Sequence, residues 1–170
     1  MTTLLTDMIG AGRFNVETYE RVEADPRSTG GAVLVVVLSS LAAGIGSGVS
    51  GIVEFVNVVV ATLLTWLIWV TLTYIIGTRV FATRETQATL GQVLRTTGFS
   101  SSPGILRVFG LIPVVGGLIF AASTVWMLFT FVTAIRQALD FQSTRRALFV
   151  SLLGWLIYTI AIFAFAIKAI

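Results

Sequence analysis

Four stretches of this chain are apolar for longer than a helix in a water-soluble domain has any use for: "GAVLVVVLSSLAAGIGSGV" (31–49), "FVNVVVATLLTWLIWVTLTYIIG" (55–77), "GGLIFAASTVWMLFTFVTAIR" (116–136) and "ALFVSLLGWLIYTIAIFAFAIK" (147–168). About 20 residues of helix cross the hydrocarbon core of a bilayer. A segment in lipid must satisfy its own backbone hydrogen bonds, so each run is predicted to be a helix and the fold class all-α. Only 11% of the residues are charged, against about 25% in soluble domains. The expected architecture is a polytopic helical bundle at 31–170, preceded by a polar cytoplasmic segment at 1–30.

In that first segment Leu4, Leu5, Met8, Ile9, Val16, Tyr19 and Val22 recur at roughly helical spacing among Glu17, Glu20, Arg21 and Glu23. This pattern predicts one short amphipathic helix. It should stop near "ADPRS", because Pro26 disfavours helix at Asp25. No apolar core of a cleavable leader is visible there, so the first span is expected to direct insertion itself.

The stretch 88–112 is harder. "LRTTGFSSSPGILRVFG" carries two arginines, three serines and a proline, yet its apolar positions still recur. Charge decides between readings, because cytoplasmic flanks are enriched in Lys and Arg. With four spans and an inside N-terminus, Arg136, Arg145 and Arg146 would all lie outside. If 88–112 also crosses, then Arg13, Arg21, Arg27, Arg79, Arg84, Arg136, Arg145 and Arg146 all fall inside, and Lys168 stays outside. Five spans, with the N-terminus cytoplasmic and the C-terminus outside, is the better topology.

At 100° per residue Gln92, Thr96, Ser100 and Arg107 cluster on one side of such a helix. Leu90, Leu94, Ile105, Val108, Phe109 and Ile112 gather opposite. Pro103 removes a hydrogen bond and frees the Phe99 carbonyl, predicting a kink that Ser100, Ser101 and Ser102 help to satisfy. Arg95 is expected to snorkel toward the inner surface. The competing arrangement is an interfacial helix followed by a re-entrant hairpin around "IPVVGG".

Cysteine and histidine are both absent, which excludes disulfides, thiol or histidine catalysis and His- or Cys-ligated metals. No cofactor, metal or catalytic group is expected. "GIGSG" sits inside a span, without the strand and lysine of a phosphate-binding loop. Ser40, Gly44 and Gly48 form a small-residue ridge for helix packing, with a second at Ala43, Ser47 and Gly51. Trp66 and Trp69 fall mid-span, too deep for an interfacial belt. Glu54 and Arg107 should sit at similar depth and pair. Arg136 and Asp140, four apart, can pair along one helix face. With Arg145 and Arg146 they form a surface for anionic lipid headgroups or a partner, or simply anchor the topology.

The order of three polar motifs carries a resemblance. "ETYERVEADP" precedes the first span, "LRTTGFSSSPGILR" follows the second, and "RQALDFQSTRRAL" links the last two. The chain resembles the bacterial branch of the Yip-domain family, relatives of the eukaryotic Ypt/Rab-interacting membrane proteins, over roughly residues 13–165. The resemblance implies a five-span bundle with a cytoplasmic N-terminus. Its eukaryotic members are linked to vesicle traffic, GTPase recruitment and membrane shaping, for which some 30 residues ahead of the first span offer little room.

The expected function is non-enzymatic: a multi-pass protein of a bacterial cytoplasmic membrane, acting as organiser, scaffold or accessory subunit. Its partners would be membrane lipids, anionic ones among them, and other membrane proteins or itself, with no role for nucleic acid. The alternative is a small transporter or channel using Glu54, Arg95 and Arg107, which would require a water-filled cavity reaching those residues.

Overall fold

The computed structural model describes residues 4–84 and 86–168, with side chains through residue 160 apart from residue 158. Every regular element among them is helical. They are α1 (Leu4–Gly12), α2 (Val16–Ala24), α3 (Ser28–Gly46), α4 (Ile52–Ile75, ending in a π-helical turn Ile76–Val80) and α5 (Leu90–Ser100). A 3-10 helix (Ser102–Leu111), α6 (Gly116–Ala138) and α7 (Thr144–Lys168) complete the set. Three segments among the described residues are long and apolar enough to cross a membrane: Ser28–Gly46, Ile52–Val80 and Gly116–Ala138.

Close approaches fix the directions in which the helices run. Gly98 lies on Ala32, and Gly110 lies on the backbone of Gly46, so α3 and α5 with its 3-10 extension run side by side in the same sense. α6 runs the other way: Thr130 Oγ1 donates to the Ser100 carbonyl at 2.7 Å, while Gly116 at its start meets Gly110. α4 and α7 are antiparallel, with Phe81 edge-on to Phe149 and Thr73 against Gly154. α5 sits in the middle of this arrangement, packed on α1, α2, α3, α4 and α6.

A central helix must bury its polar side, and α5 does so by satisfying its own hydroxyls. Thr96, Thr97, Ser100 and Ser101 donate to carbonyls three or four residues back. Such local bonds leave no hydroxyl in need of solvent. Arg95 to Ser100 are all buried, while Leu90, Phe109 and Ile112 are exposed. Thr96, Ser100 and Arg107 of the polar side are buried, but the apolar side is not simply turned outward: Val93 and Phe99 are buried too and Leu94 packs against the core, so α5 is enclosed on all sides over its second half.

Pro103 does more than kink a helix. The α-helix ends at Ser100 and the chain continues for ten residues as a 3-10 helix. Runs longer than three or four residues are uncommon in that geometry. The Phe99 carbonyl, which the nitrogen of Pro103 cannot bond, accepts from Ser102 Oγ at 2.6 Å. What holds the remaining turns is packing. A Cβ at Gly46 would lie 1.7 Å from the Arg107 carbonyl oxygen, one at Gly110 would lie 2.4 Å from that of Gly46, and one at Gly116 would lie 2.1 Å from that of Gly110. Three backbones therefore touch at these glycines.

The N-terminal stretch forms two helices where the periodicity suggested one. Phe14 takes φ 61°, and the Asn15 side chain caps α2 by accepting from Thr18 N at 2.9 Å. α2 ends at Ala24, ahead of Pro26. The two helices form a hairpin that packs on the bundle. Ala11, Tyr19 and Val22 share a core with Ala32, Val35, Phe99 and Ala134.

Of the small-residue ridge, Gly44 faces Phe55 and Val59 of α4 and Ser40 is buried. Gly48 lies beyond the end of α3 with φ 72°. The mid-span tryptophan Trp69 stacks on Phe131 at 3.9 Å and donates to the Ser151 carbonyl at 2.9 Å.

Candidate functional site

Arg95 of α5 and Arg107 of the 3-10 helix are both buried and both hydrogen-bonded. Arg107 donates through Nη2 to Ser39 Oγ at 2.8 Å and to the Ser39 carbonyl at 3.1 Å. Its Nε donates to the Gly104 carbonyl at 3.1 Å, and the guanidinium lies 5.7 Å from the centre of the Phe120 ring. The expected partner Glu54 is elsewhere. It is exposed in the first turn of α4, and among the described residues Arg107 makes no ion pair. Similar depth along two helices does not bring side chains together when they face different neighbours, as Glu54 and Arg107 do.

Arg95 reaches across to α2. Its Nε donates to the Val22 and Glu23 carbonyls at 3.1 Å each, and Nη2 also donates to Glu23 O. These are last-turn carbonyls of α2, the groups a helix leaves without partners and that an arginine satisfies well. Arg95 thus joins α5 to the C-terminal end of the hairpin.

Around that junction the charges converge. Gln92 Nε2 donates to Glu23 Oε1 at 3.1 Å. Burial, and then the neighbouring Asp140 carboxylate, push the Glu23 carboxyl up to about 7, against the pull of Arg95. Two further bonds tie the hairpin to α6, and a third closes it on itself. Tyr19 Oη donates to the Ala11 carbonyl at 3.0 Å and the Thr130 carbonyl at 3.2 Å, and Trp126 Nε1 donates to the Gly12 carbonyl at 2.9 Å. Within the hairpin Arg21 pairs with Asp7.

The cluster "RQALDFQSTRR" does not form its expected internal pair. Asp140 adopts φ 52° and is exposed; that turn carries it away from Arg136, whose Nε donates to the Phe141 carbonyl at 3.4 Å. Arg145 and Arg146 stand exposed in the first turn of α7, with Arg146 5.8 Å from the Phe141 ring centre. Two cations at a helix N-terminus oppose its dipole, so their position favours neither α7 nor the turn before it. Among the described residues no group of three or more Asp or Glu side chains could hold a metal.

Sequence reasoning missed Glu23, Trp126, Thr130 and the bridging role of Tyr19. Tyr19 is recoverable in retrospect, since a phenol on the buried stripe of an amphipathic helix needs an acceptor. The others become visible only once α2 is seen against α5 and α6.

The model of the Yip1 domain matches residues 14–166. No curated protein and no solved structure matches the chain.

Proposed function

This chain belongs to the Yip1 domain family, and from that premise we propose a non-enzymatic integral membrane protein that works through lateral protein and lipid contacts, as an organiser, scaffold or accessory subunit. The observation that carries the reading is the bareness of α4. The segment Ile52–Val80 is 29 residues long, and only 6% of its most apolar window is buried inside the protein. Val53, Val60, Leu64 and Leu67 point away from the bundle. In water such a face would be a severe liability; in a membrane it is covered by lipid or by another helix.

The proposed topology has five crossings, inside to outside, in a bacterial cytoplasmic membrane. The parallel course of α3 and the α5–3-10 unit supports it, as does their common antiparallel partner α6. Length supports it too. Eleven α-helical residues at about 1.5 Å each and ten 3-10 residues at about 2.0 Å each reach roughly 36 Å, more than the roughly 30 Å of hydrocarbon. The wider rise of the 3-10 helix lets a segment interrupted by proline still reach across.

The bonding of Arg95 and Arg107 argues against transport as the primary role. Nε and Nη2 of each are bonded to carbonyls and one hydroxyl of the same chain, which holds both guanidinium groups in structural roles.

The test uses the cysteine-free background. Single cysteines at Val53, Val60 and Leu67 on the bare face, and at buried Val70 as control, are cross-linked in native membranes. Protein adducts at the first three and not at Val70 are expected. Absence of protein adducts, together with solute flux in reconstituted vesicles, would replace this reading with the transport one.

A further inference from the structure

Contacts along the α1–α2 hairpin fix how far it reaches down the bundle. Leu4, at the start of α1, lies against Gly31 near the inner end of α3. Gly12, at the end of α1, lies against Pro103 and accepts from Trp126. α2 then runs back: Tyr19 donates to the Thr130 carbonyl, and Glu23 meets Gln92 and Arg95 near the start of α5. The tip at Arg13, Phe14 and Asn15 is therefore level with the middle of α6. Trp126 stands 12 residues short of Ala138, the inner end of that helix, which is about 18 Å at about 1.5 Å per residue. Half of the roughly 30 Å of hydrocarbon is about 15 Å. With five crossings, the hairpin descends from the inner surface to about the midplane of the bilayer.

Its outward surface does not suit lipid at that depth. Arg13, Asn15 and Glu17 are exposed at the tip, and neither Arg13 nor Glu17 makes an ion pair among the described residues. Ionised side chains inside a membrane face protein or water and pair with one another, because hydrocarbon offers them nothing. The opening between the two helices, of about 400 Å³, is lined by further polar side chains, Thr6, Asn15 and Thr18 among them. Beside it Leu5 and Ile9 are exposed one turn apart on α1, with Phe14 and Val16 at the tip. An arginine set among apolar and aromatic anchors is the composition of a protein interface.

The charges fit a second copy of the chain. Copies inserted in the same sense are related by a two-fold axis along the membrane normal, which keeps every residue at its own depth and makes each contact reciprocal. Arg13 can then reach only acidic groups near the tip. Asp7 is committed to Arg21. Glu20 and Glu23 lie about one and two turns further along α2 toward the inner surface. Glu17, in the first turn of α2, stays near the depth of Arg13. We propose that the outer face of the hairpin is a homodimer interface within the inner half of the membrane, in which Arg13 of each copy pairs with the partner's Glu17 and Leu5, Ile9 and Phe14 pack around the two pairs. This interface presupposes the five crossings and the lateral contacts of the proposed function, and it uses neither the bare face of α4 nor the arginines of α7.

The experiment counts copies. The full chain, labelled through Ser143→Cys in the cysteine-free background, is reconstituted in phosphatidylethanolamine–phosphatidylglycerol vesicles over a range of protein densities, and the copies in each assembly are counted by stepwise photobleaching. Two are expected. Arg13→Glu and Glu17→Arg should each raise the density needed for half-dimerisation by roughly tenfold or more, since each leaves like charges facing in a desolvated place. A mixture of the two single variants, labelled in two colours, should form mixed dimers at near the native density, because each copy then meets the opposite charge at both positions. Combining both changes in one chain should restore association as well. Val16→Cys, at the tip, should resist a membrane-impermeant thiol reagent applied to inverted vesicles of the native dimer. Single copies at every density, a dimer indifferent to both reversals, or single variants that do not recognise each other would overturn the interface. So would labelling at Val16→Cys, which would put water on that flank in place of a partner. Where a reversal blocks insertion, Glu17→Gln decides, since it keeps the shape and adds no like charge: association at native strength there would also overturn the interface. Adducts on α4 do not depend on the hairpin, so this interface can fail while the scaffold reading stands.

Discussion

At the scale of single residues, the decisive question is where each buried donor goes. Arg107 holds α3 to the 3-10 helix through Ser39 and Gly104. Arg107→Met leaves the Ser39 hydroxyl and two carbonyls short of a donor, and thermal unfolding in detergent should show a loss of about 1–3 kcal/mol. Glu54→Gln, at an exposed position, should stay within about 0.5 kcal/mol of the native protein. A cycle combining Arg107→Met with Ser39→Ala should show coupling, and one combining it with Glu54→Gln should be additive. Coupling in the second cycle would restore the ion pair that the sequence suggested. Glu23 makes a prediction about pH. Its carboxyl is raised from 4.5 to about 7 in the folded protein by burial and by Asp140, so the folded state binds its proton more tightly than the unfolded chain. That contribution to hairpin docking is complete below about 4.5, declines as pH rises, and is gone above about 7. Amide exchange of Val22 to Ala24, corrected for its intrinsic pH dependence, should report firmer docking at pH 5.5 than at pH 8. Glu23→Gln should flatten the profile, and a native profile that is already flat would refute the assignment.

At the scale of elements, the 3-10 helix is held by its neighbours as much as by its proline. Were Pro103 its only cause, Pro103→Ala would let α5 run on as α-helix to Leu111. That change would shorten ten residues by about 5 Å, from a rise of about 2.0 Å to one of about 1.5 Å each. It would also pull Arg107 off Ser39 and Gly110 off Gly46. Spin-label distances between residues 90 and 111 should therefore remain within about 2 Å of native in Pro103→Ala, well inside the shift that α-helical pitch would bring. A shortening near 5 Å would show that the proline alone sets the conformation. Gly46→Ala attacks the packing instead. Its Cβ would meet a carbonyl oxygen at 1.7 Å, the helices must separate, and a destabilisation of about 1–3 kcal/mol is expected in thermal melts. The corresponding change at Gly30, where a Cβ meets nothing within 4 Å, should cost far less.

At the scale of the whole molecule, the proposed five crossings put the turn at Val114 and the turn at Ser143 on opposite sides of the membrane. Both positions are exposed, Val114 fully. In intact cells a membrane-impermeant thiol reagent should label Val114→Cys and spare Ser143→Cys, with the pattern reversed in inverted vesicles. Labelling of both from the same side would end the five-crossing model and return 88–112 to the membrane surface. The hairpin adds a second expectation. Its ties to α5 and α6 run through Tyr19, Arg95 and Trp126, so the N-terminal helices should resist proteolysis in the native protein and yield in Arg95→Ala.

The apolar runs by themselves determined that the chain is helical and where its long helices lie, because a backbone in hydrocarbon has no partner but itself. The hydroxyls and arginines of 88–112 marked a segment that must be packed in protein, and Thr96, Ser100 and Arg107 are buried; that Val93 and Phe99 of its apolar side are buried as well follows only from the neighbours around α5. Partners were another matter. Arg107 could be placed in depth but not in azimuth, and so it was matched to Glu54 when Ser39 holds it. Arg136 and Asp140 were paired by their spacing, which a left-handed residue at Asp140 cancels. Gly46, on neither of the two small-residue ridges, was passed over, because only a docked neighbour shows that its side of α3 meets another backbone. The hairpin's attachment depends on carbonyls at the end of α2, and every residue carries a carbonyl. Sequence marks which groups need a partner; tertiary structure selects the partner, because that choice turns on the rotation and offset of helices far apart in the chain.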